Sequence, residues 1–216
     1  MPIFSKSGKN ILFIHIPKSA GSSVEKIGKN CGWFESFSVR GKPLSDISYY
    51  KASLQHLHAD VLGQLFFLEK FDAIFTIIRN PFDRFKSEYY WQKSQSITTL
   101  NANDWIADTL ARYEKYNHIY DNHIRPQIEF IPRFGEVEVL KLEDNGVKYS
   151  ANIFNRLVPP SLGWGVWRNV LRPIKSKNIE EKKSAKDPVI ESIFQKEKEK
   201  IVDFYKADFE AFSYKC

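Results

Sequence analysis

Two apolar runs, each followed by a polar turn and a helical pattern, constrain the fold of this chain most. Residues 11–14 and residues 73–78 are apolar at nearly every position, whereas a strand with one face in solvent would alternate. Such runs are typical of strands that are buried on both faces, as in parallel sheets. Pro81 follows the second run and suits the first turn of a helix, because that position needs no N–H donor. The chain therefore contains two predicted units of strand, turn and helix.

The turn of the first unit predicts an anion-binding site. Pro17 ends the strand, Gly21 permits a tight backbone, and Ser22 or Ser23 can cap the helix that follows. The free N–H groups of a helix N-terminus converge there, the helix dipole adds partial positive charge, and Lys18 lies in the same turn. In a Walker A motif the lysine directly follows the second glycine, which is not the order here. A phosphate-like anion is the expected ligand.

The order of residues in this turn resembles the 5′-phosphosulfate loop of sulfotransferases that use 3′-phosphoadenosine 5′-phosphosulfate (PAPS). The string HIPKSAGSS, residues 15–23, is especially similar to carbohydrate sulfotransferases related to heparan 2-O-sulfotransferase. The resemblance implies that the sulfate end of PAPS is bound by the loop residues Pro17, Lys18, Ser19, Ala20, Gly21, Ser22 and Ser23. It also implies a catalytic role for Lys18, which would stabilise charge on the oxygens around sulfur.

The second unit resembles the 3′-phosphate motif of the same family. In that pattern an arginine at a strand end is followed by a serine eight residues later, here Arg79 and Ser87. A doubly charged phosphate suits a forked guanidinium group and a hydroxyl two helical turns along. The alternative is that Arg79 and Arg84 only pair with Asp83 and Glu88 on the surface of a helix.

Two histidines lie just before a predicted helix over residues 59–70. In the family that the chain resembles, a histidine in such an H-x-H string is associated with the general base; His58 is the closer fit and His56 the second. An imidazole with a pKa near ~6.5 can remove a hydroxyl proton near neutral pH. A helix N-terminus also disfavours the imidazolium form. The alternative is that the histidines fill space or cap the helix.

Acceptor contacts are predicted from a segment similar to an H-x-R-P-Q string of the same family. His123, Arg125 and Gln127 are expected to bind hydroxyl or acid groups of the acceptor, or else to form a polar network that pins a loop. His15 shares a strand face with Phe13, near the anion loop, and is assigned a structural or acceptor-contacting role.

The rest of the pattern predicts an α/β fold with a P-loop-like parallel sheet of about four or five strands flanked by helices. Residues 1–216 are expected to form one sulfotransferase-like catalytic domain. Residues 33–39 are predicted to form a short strand or an irregular segment, and a further strand is predicted within residues 137–144. Further helices are predicted over residues 81–93, 104–116, 150–158 and 189–206. Residues 171–186 occupy the position of the family's loop over the nucleotide, with candidate contacts at Lys175, Lys177, Asn178, Lys182, Lys183 and Ser184.

Charge and composition narrow the ligand classes. The net charge of +6 favours anionic ligands, but the lysine-rich residues 175–186 are interleaved with acidic residues and lack aromatic side chains, so nucleic acid is not expected as a partner. Two cysteines support neither a disulfide framework nor a zinc site, and we expect no metal cofactor. Without a long apolar stretch, neither a signal peptide nor a membrane anchor is predicted, and a cytoplasmic location is expected.

Together these features predict in-line transfer of a sulfuryl group from PAPS to a hydroxyl of an acceptor, expected to be a carbohydrate, with a histidine base. Two alternatives are a P-loop kinase-like nucleotide enzyme and a non-catalytic binder of anionic glycan or nucleic acid.

Overall fold

The computed structural model describes residues 1–39, 50–159 and 187–215, and within them the chain forms a mixed five-stranded sheet. The strands are β1 (Ile3–Lys6), β2 (Lys9–Ile14), β3 (Phe34–Ser36), β4 (Ala73–Ile78) and β5 (Glu138–Lys141), in the order β3-β1-β2-β4-β5. Strands β2, β4 and β5 are parallel, whereas β1 is antiparallel to both β2 and β3. The predicted α/β fold and number of strands are confirmed, and the sheet is parallel in its β2-β4-β5 half.

Strand β1 was not predicted. It pairs with β2 through a hairpin whose two turn residues, Ser7 and Gly8, both have positive φ angles, 49° and 75°. Such turns match the twist of the strands they join. The residues of β1 are too few to give a periodic signal, so the Ser-Gly turn was the only mark of this strand in the sequence.

A helix follows each parallel strand. The helices of the described residues are α1 (Gly21–Asn30), α2 (Ala59–Leu65), α3 (Pro81–Ser94), α4 (Ala102–Lys115), α5 (Gly146–Leu157), α6 (Pro188–Lys196), α7 (Lys198–Phe204) and α8 (Lys206–Ala211). The helix predicted over residues 59–70 ends at Leu65, and a separate 3₁₀ turn covers Leu68–Lys70. The single helix predicted over residues 189–206 is divided at Glu197 and again at Tyr205.

Helix α5 begins earlier than the sequence pattern predicted, at Gly146 instead of residue 150. Asn145 takes a left-handed conformation, with φ of 61°, and turns the chain from β5 directly into the helix. A Cβ atom at Gly146 would lie 2.6 Å from the Lys141 carbonyl oxygen, so this close approach requires glycine.

Both faces of the sheet are covered, as the continuous apolar runs predicted. Ile11 and Phe13 of β2 pack among side chains of α1 and α5. Leu12 and Ile14, the alternate residues of the same strand, pack with Leu62 of α2 on the other face. The core thus fixes the direction of β2 and delivers its carboxyl end to the loop that follows.

The carboxyl ends of β2 and β4 are neighbours in the sheet. Ile14 is paired with Thr76, whose hydroxyl also donates a hydrogen bond to the Ile14 carbonyl oxygen at 2.8 Å. Loops that leave adjacent parallel strands at the same edge meet there, which is where α/β proteins commonly bind ligands. The loop after β2 and Arg79 after β4 are therefore brought together by the sheet.

The predicted loop over the nucleotide, residues 171–186, lies outside the described residues. In the described part of the chain, every helix is too short or too polar to cross a bilayer.

Candidate functional site

The loop between β2 and α1 has the backbone of an anion site. Lys18 and Ala20 both have left-handed conformations, with φ angles of 65° and 63°, and Ala20 is the residue that precedes the helix. Left-handed residues turn backbone N–H groups toward a shared concavity. The N–H groups of Gly21 and Ser22 precede the first helical hydrogen bond of α1, which the Ser23 N–H donates to the Ala20 carbonyl oxygen at 2.9 Å. The predicted capping role of Ser22 or Ser23 is wrong, because α1 begins at Gly21 and both serines lie in its first turn.

Gly21 is required by a neighbouring ring. A Cβ atom at this position would lie 2.0 Å from His15 Nε2, so the imidazole packs directly on the glycine. His15 is 5% exposed, and its Nδ1 lies 3.0 Å from Oε1 of the buried Glu25. Burial lowers the pKa of His15, and Glu25 opposes that effect. Of the two roles considered for His15, this packing corresponds to the structural one.

The side chain of Gln127 joins the two motifs that are predicted to bind the cofactor, from inside the protein. Its Nε2 donates to the Arg79 carbonyl oxygen at 2.8 Å, and its Oε1 accepts from the Arg79 N–H at 2.9 Å and from the Ser19 hydroxyl at 3.5 Å. Asp208 of α8 accepts the Gln127 and Ile128 backbone N–H groups at 2.8 and 2.9 Å. Gln127 is fully buried, so its place is in the polar network and not at an acceptor surface.

Arg79 lies at the junction of the two motifs. Its Nη1 donates to the Lys18 carbonyl oxygen at 3.4 Å, which connects the strand-end arginine to the loop after β2. Helix α3 starts directly afterwards, capped by the Asn80 side chain, which accepts the N–H groups of Phe82 and Asp83. Ser87 is half-buried farther along the same helix.

Arg84 has a role other than the surface pairing considered for it. Its side chain is fully buried and donates to the carbonyl oxygens of His123 at 2.9 Å and Arg125 at 2.6 Å. A guanidinium group that binds several carbonyl oxygens fixes the path of the backbone. Arg84 therefore holds the segment that carries His123 and Arg125 against α3.

Lys18 is half-buried and lies beside α3. Its Nζ lies 4.8 Å from the centre of the Trp91 ring. The centre of the His123 ring lies 5.3 Å from the same Trp91 ring. His123 Nδ1 is 2.7 Å from Oε2 of Glu88. Burial lowers the pKa of Lys18 to about 8; Glu88 raises it and Arg79 lowers it further.

His56 occupies the centre of a row of three histidine rings. Its ring lies 4.9 Å from His15 and 5.0 Å from His123, in edge-to-face contact with both. Its Nδ1 is 2.7 Å from Oδ2 of Asp121, and its Nε2 is 3.3 Å from the Gln55 amide nitrogen. Burial is the main reason that the pKa of His56 falls to about 3. His56 is therefore a neutral, enclosed imidazole with both ring nitrogens in contact.

A strained turn holds His56 in place. Tyr120, Asp121 and Asn122 all have positive φ angles, 50°, 56° and 62°. Asp121 also accepts a hydrogen bond from the Ser53 hydroxyl at 2.8 Å, and Asn122 donates to the His56 carbonyl oxygen at 2.8 Å. Left-handed residues other than glycine persist only where their surroundings fix them, and they concentrate at functional sites.

His58 is placed differently. It precedes the first residue of α2 in an extended conformation and is half-buried. Burial, followed by the positive charge of Arg125, lowers its pKa below the ordinary value of 6.5. Arg125 itself is mostly buried, donates to Asn122 Oδ1 at 3.2 Å and pairs with Glu129. The row of ring contacts around His56 does not include His58.

Comparison with known proteins assigns the chain to a family. Over residues 1–215, the chain matches the protein-family model described as "Sulfotransferase family". The chain belongs to the sulfotransferase family. No curated protein and no solved structure matched it in the same comparisons. The predicted family and the predicted enzyme class are confirmed, and sulfuryl transfer is favoured over the two alternatives.

The sulfotransferase also contains a group of side chains that resembles a metal centre. The nearest ligand atoms of His56, Asp121 and His123 all lie within 4.8 Å of one another. Two imidazoles and a carboxylate are ligands that suit zinc. However, His56 Nδ1 and Asp121 Oδ2 lie at hydrogen-bond distance, 2.7 Å, so these two groups already pair with each other. We therefore do not identify a metal site here.

Several side chains of the site were not predicted. They are Glu25, Glu88, Trp91 and Asp121. Arg84, Glu88 and Trp91 follow one another at helical spacing in α3, so a stripe of this kind beside the 3′-phosphate motif was a usable signal. Asp121 gave no such signal, because only its left-handed turn brings it to His56, from 65 residues away in the chain.

Proposed function

We propose that this sulfotransferase transfers a sulfuryl group from PAPS to a hydroxyl of a carbohydrate acceptor, with His58 as the general base. The observation that carries the proposal is the junction of the two cofactor motifs: the Lys18 loop and Arg79 lie at the neighbouring carboxyl ends of β2 and β4. The carbohydrate acceptor is inferred from the similarity of residues 15–23 to carbohydrate sulfotransferases.

The donor groups of this junction fit a cofactor with two anionic ends. Lys18 and the first-turn N–H groups of α1 offer a cation and backbone donors for a sulfate. Arg79 and the Ser87 hydroxyl offer a guanidinium group and a hydroxyl for the 3′-phosphate. When bound, PAPS would supply the sulfuryl group. The bond between sulfur and the 5′-phosphate oxygen would break, and 3′-phosphoadenosine 5′-phosphate would leave.

In the proposed reaction, His58 and Lys18 have separate roles. His58 takes the proton of the acceptor hydroxyl as that oxygen forms its bond to sulfur. Lys18 stabilises the negative charge that develops on the departing phosphate oxygen, as preorganised donors do in phosphoryl transfer. His58 is proposed over His56 because His58 is only half-buried, whereas His56 is 6% exposed and contacted at both ring nitrogens.

The experiment that tests the proposed function is a transfer assay with sulfur-labelled PAPS against sugars, polysaccharides, lipids and phenols. Labelled product is expected with a carbohydrate. Labelling of phenols or lipids alone would contradict the proposed acceptor class, and the absence of transfer to any hydroxyl would contradict the proposed reaction.

The two ends of the cofactor are expected to be bound independently. 3′-Phosphoadenosine 5′-phosphate should bind at least about tenfold more tightly than AMP, because a charge-assisted contact contributes ~1.5–3 kcal/mol. Arg79→Ala should remove most of this preference, as measured by calorimetry. Arg156→Ala is the matched control, since Arg156 pairs with Glu138 at the opposite end of β5. Equal affinity of the wild type for both nucleotides would contradict the role of Arg79.

Removal of metal is expected to leave transfer unchanged. The transferred group carries less charge than a triphosphate, and Lys18 with backbone donors can stabilise it without a cation. Initial rates should be the same with excess EDTA and with EDTA saturated beforehand with Ca²⁺. A loss of rate that added Mg²⁺ or Zn²⁺ restores would show that a metal takes part.

A further inference from the structure

Glu88 is a carboxylate that lies wholly inside the protein, next to Ser87 in α3. It is 0% exposed, and a buried carboxylate requires partners for its charge. His123 Nδ1 lies 2.7 Å from Oε2, and the Gln92 amide donates to Oε1 at 2.8 Å. Gln92 is fixed in turn by the Trp105 indole, which donates to its Oε1 at 2.9 Å. Glu88 is therefore held rigidly by the core of the helical region.

Glu88 and Trp91 are three residues apart in α3 and so lie on the same side of the helix. The Trp91 ring contacts both Lys18 and His123, and His123 in turn contacts the Glu88 carboxylate. A positive charge over an indole ring is stabilised, more strongly so where water is excluded. Glu88, Trp91 and His123 thus form one connected group beside Lys18 of the loop after β2.

The charges around Lys18 make its protonation depend on Glu88. Arg79 carries a charge of the same sign and Glu88 one of opposite sign. Burial raises the pKa of the Glu88 carboxyl, but its contacts with His123, Lys18 and Gln92 prevail and the pKa is lowered. Because the pKa of Lys18 is about 8, its charge at neutral to slightly alkaline pH is sensitive to any change nearby.

We propose that Glu88 is a positioning residue of this enzyme, which keeps Lys18 charged and holds His123 against the Trp91 ring. The consequence for transfer rests on the proposed function, in which Lys18 meets the sulfate end of PAPS. The role of Glu88 goes beyond that function, because neither the family match nor the sequence resemblance assigns one to it.

The direct test follows Lys18 in the protein without cofactor. NMR of lysine labelled at Cε, with Lys18 assigned by its absence in Lys18→Met, gives the pKa of Lys18 in the wild type and in Glu88→Gln. The glutamine variant should lower this pKa by about one unit or more, the usual effect of a nearby opposite charge. Asp83→Asn is the matched control, since Asp83 is a half-exposed carboxylate of the same helix that pairs with Lys86. It should leave Lys18 unchanged.

Nitrogen NMR of histidine tests the second half of the proposal. With Glu88 present, His123 should carry its proton on Nδ1, and Glu88→Gln should change this tautomer preference. Glu88→Asp keeps the charge and should restore most of the Lys18 pKa. If Glu88→Gln does not fold, Glu88→Met has nearly the same length and no polar atom to satisfy, and it should lower the Lys18 pKa in the same way.

The outcomes separate this inference from the proposed function. In transfer assays, the loss of rate at alkaline pH should begin at lower pH in Glu88→Gln than in the wild type. An unchanged Lys18 titration in every folded Glu88 variant would overturn the role of Glu88, whatever the activity. If the Glu88 variants lower the Lys18 pKa but the wild-type protein transfers no sulfuryl group, the role of Glu88 stands and the proposed reaction is overturned instead.

Discussion

Lys18→Met is expected to slow sulfuryl transfer by roughly 10²–10³, the usual cost of removing one preorganised charge-stabilising donor. Methionine keeps most of the unbranched side chain but removes Nζ, the charged group that lies over the Trp91 ring and is proposed to face the departing oxygen. Binding of 3′-phosphoadenosine 5′-phosphate should weaken much less than transfer, because the proposed 3′-phosphate contacts of Arg79 and Ser87 remain. Single-turnover rates and calorimetry on the same preparation measure the two effects.

The pH dependence of the transfer rate gives a second test of the role of Lys18. Only protonated Lys18 can stabilise negative charge, so wild-type transfer should decline as pH rises above about 8, the pKa of Lys18. Lys26→Met is the matched control, since Lys26 is an exposed lysine of α1. It should keep both the rate and the alkaline decline. Full activity of Lys18→Met with an authentic acceptor would show that Lys18 does not take part in the chemical step.

His58→Ala is expected to lower the transfer rate by roughly 10²–10⁴, the scale of general-base catalysis. Folding and cofactor affinity should remain close to those of the wild type, because His58 is half-buried and lies outside the row of histidine rings. In the wild type, the rate should rise with pH through an ionisation below 6.5, since burial and Arg125 lower the pKa of His58 and only the neutral imidazole accepts a proton. That ionisation should disappear in the variant.

His56→Ala and His123→Ala are the comparison variants. His56→Ala is expected to lower the transfer rate less than His58→Ala but to lower the thermal stability more, because it removes a buried imidazole that pairs with Asp121. If His58→Ala keeps wild-type turnover while a folded His56→Ala or His123→Ala loses it, the base has been assigned to the wrong histidine. If all three variants remain active, proton removal by histidine is wrong.

The sequence was most informative where one local rule determined the structure. Residues 11–14 and 73–78 formed strands buried on both faces, and Pro81 began α3 behind its Asn80 cap. The left-handed Ala20 was not predicted, and it moved the start of α1 ahead of both serines. The final helix was predicted as one piece, because neither Glu197 nor Tyr205 is a residue type that ordinarily ends a helix.

The surroundings of the candidate site were less predictable, because they depend on contacts between distant segments. The resemblance supplied Lys18, Arg79 and the histidine pair, but it did not indicate which histidine is enclosed. That difference arises from Asp121 and Asn122, which reach His56 only through three consecutive left-handed residues. No periodicity in the sequence encodes such a turn.

The bond between Asp208 and the backbone of Gln127 has a consequence for biosynthesis. Gln127 supports Arg79 and Ser19, and Asp208 belongs to α8, which follows the other described helices and strands in the chain. A ribosome releases the Lys18 loop and Arg79 long before it releases this aspartate. A nascent chain can therefore form its sheet before Asp208 is available, so the support that Gln127 gives to Arg79 and Ser19 is completed only after α8 has been synthesised.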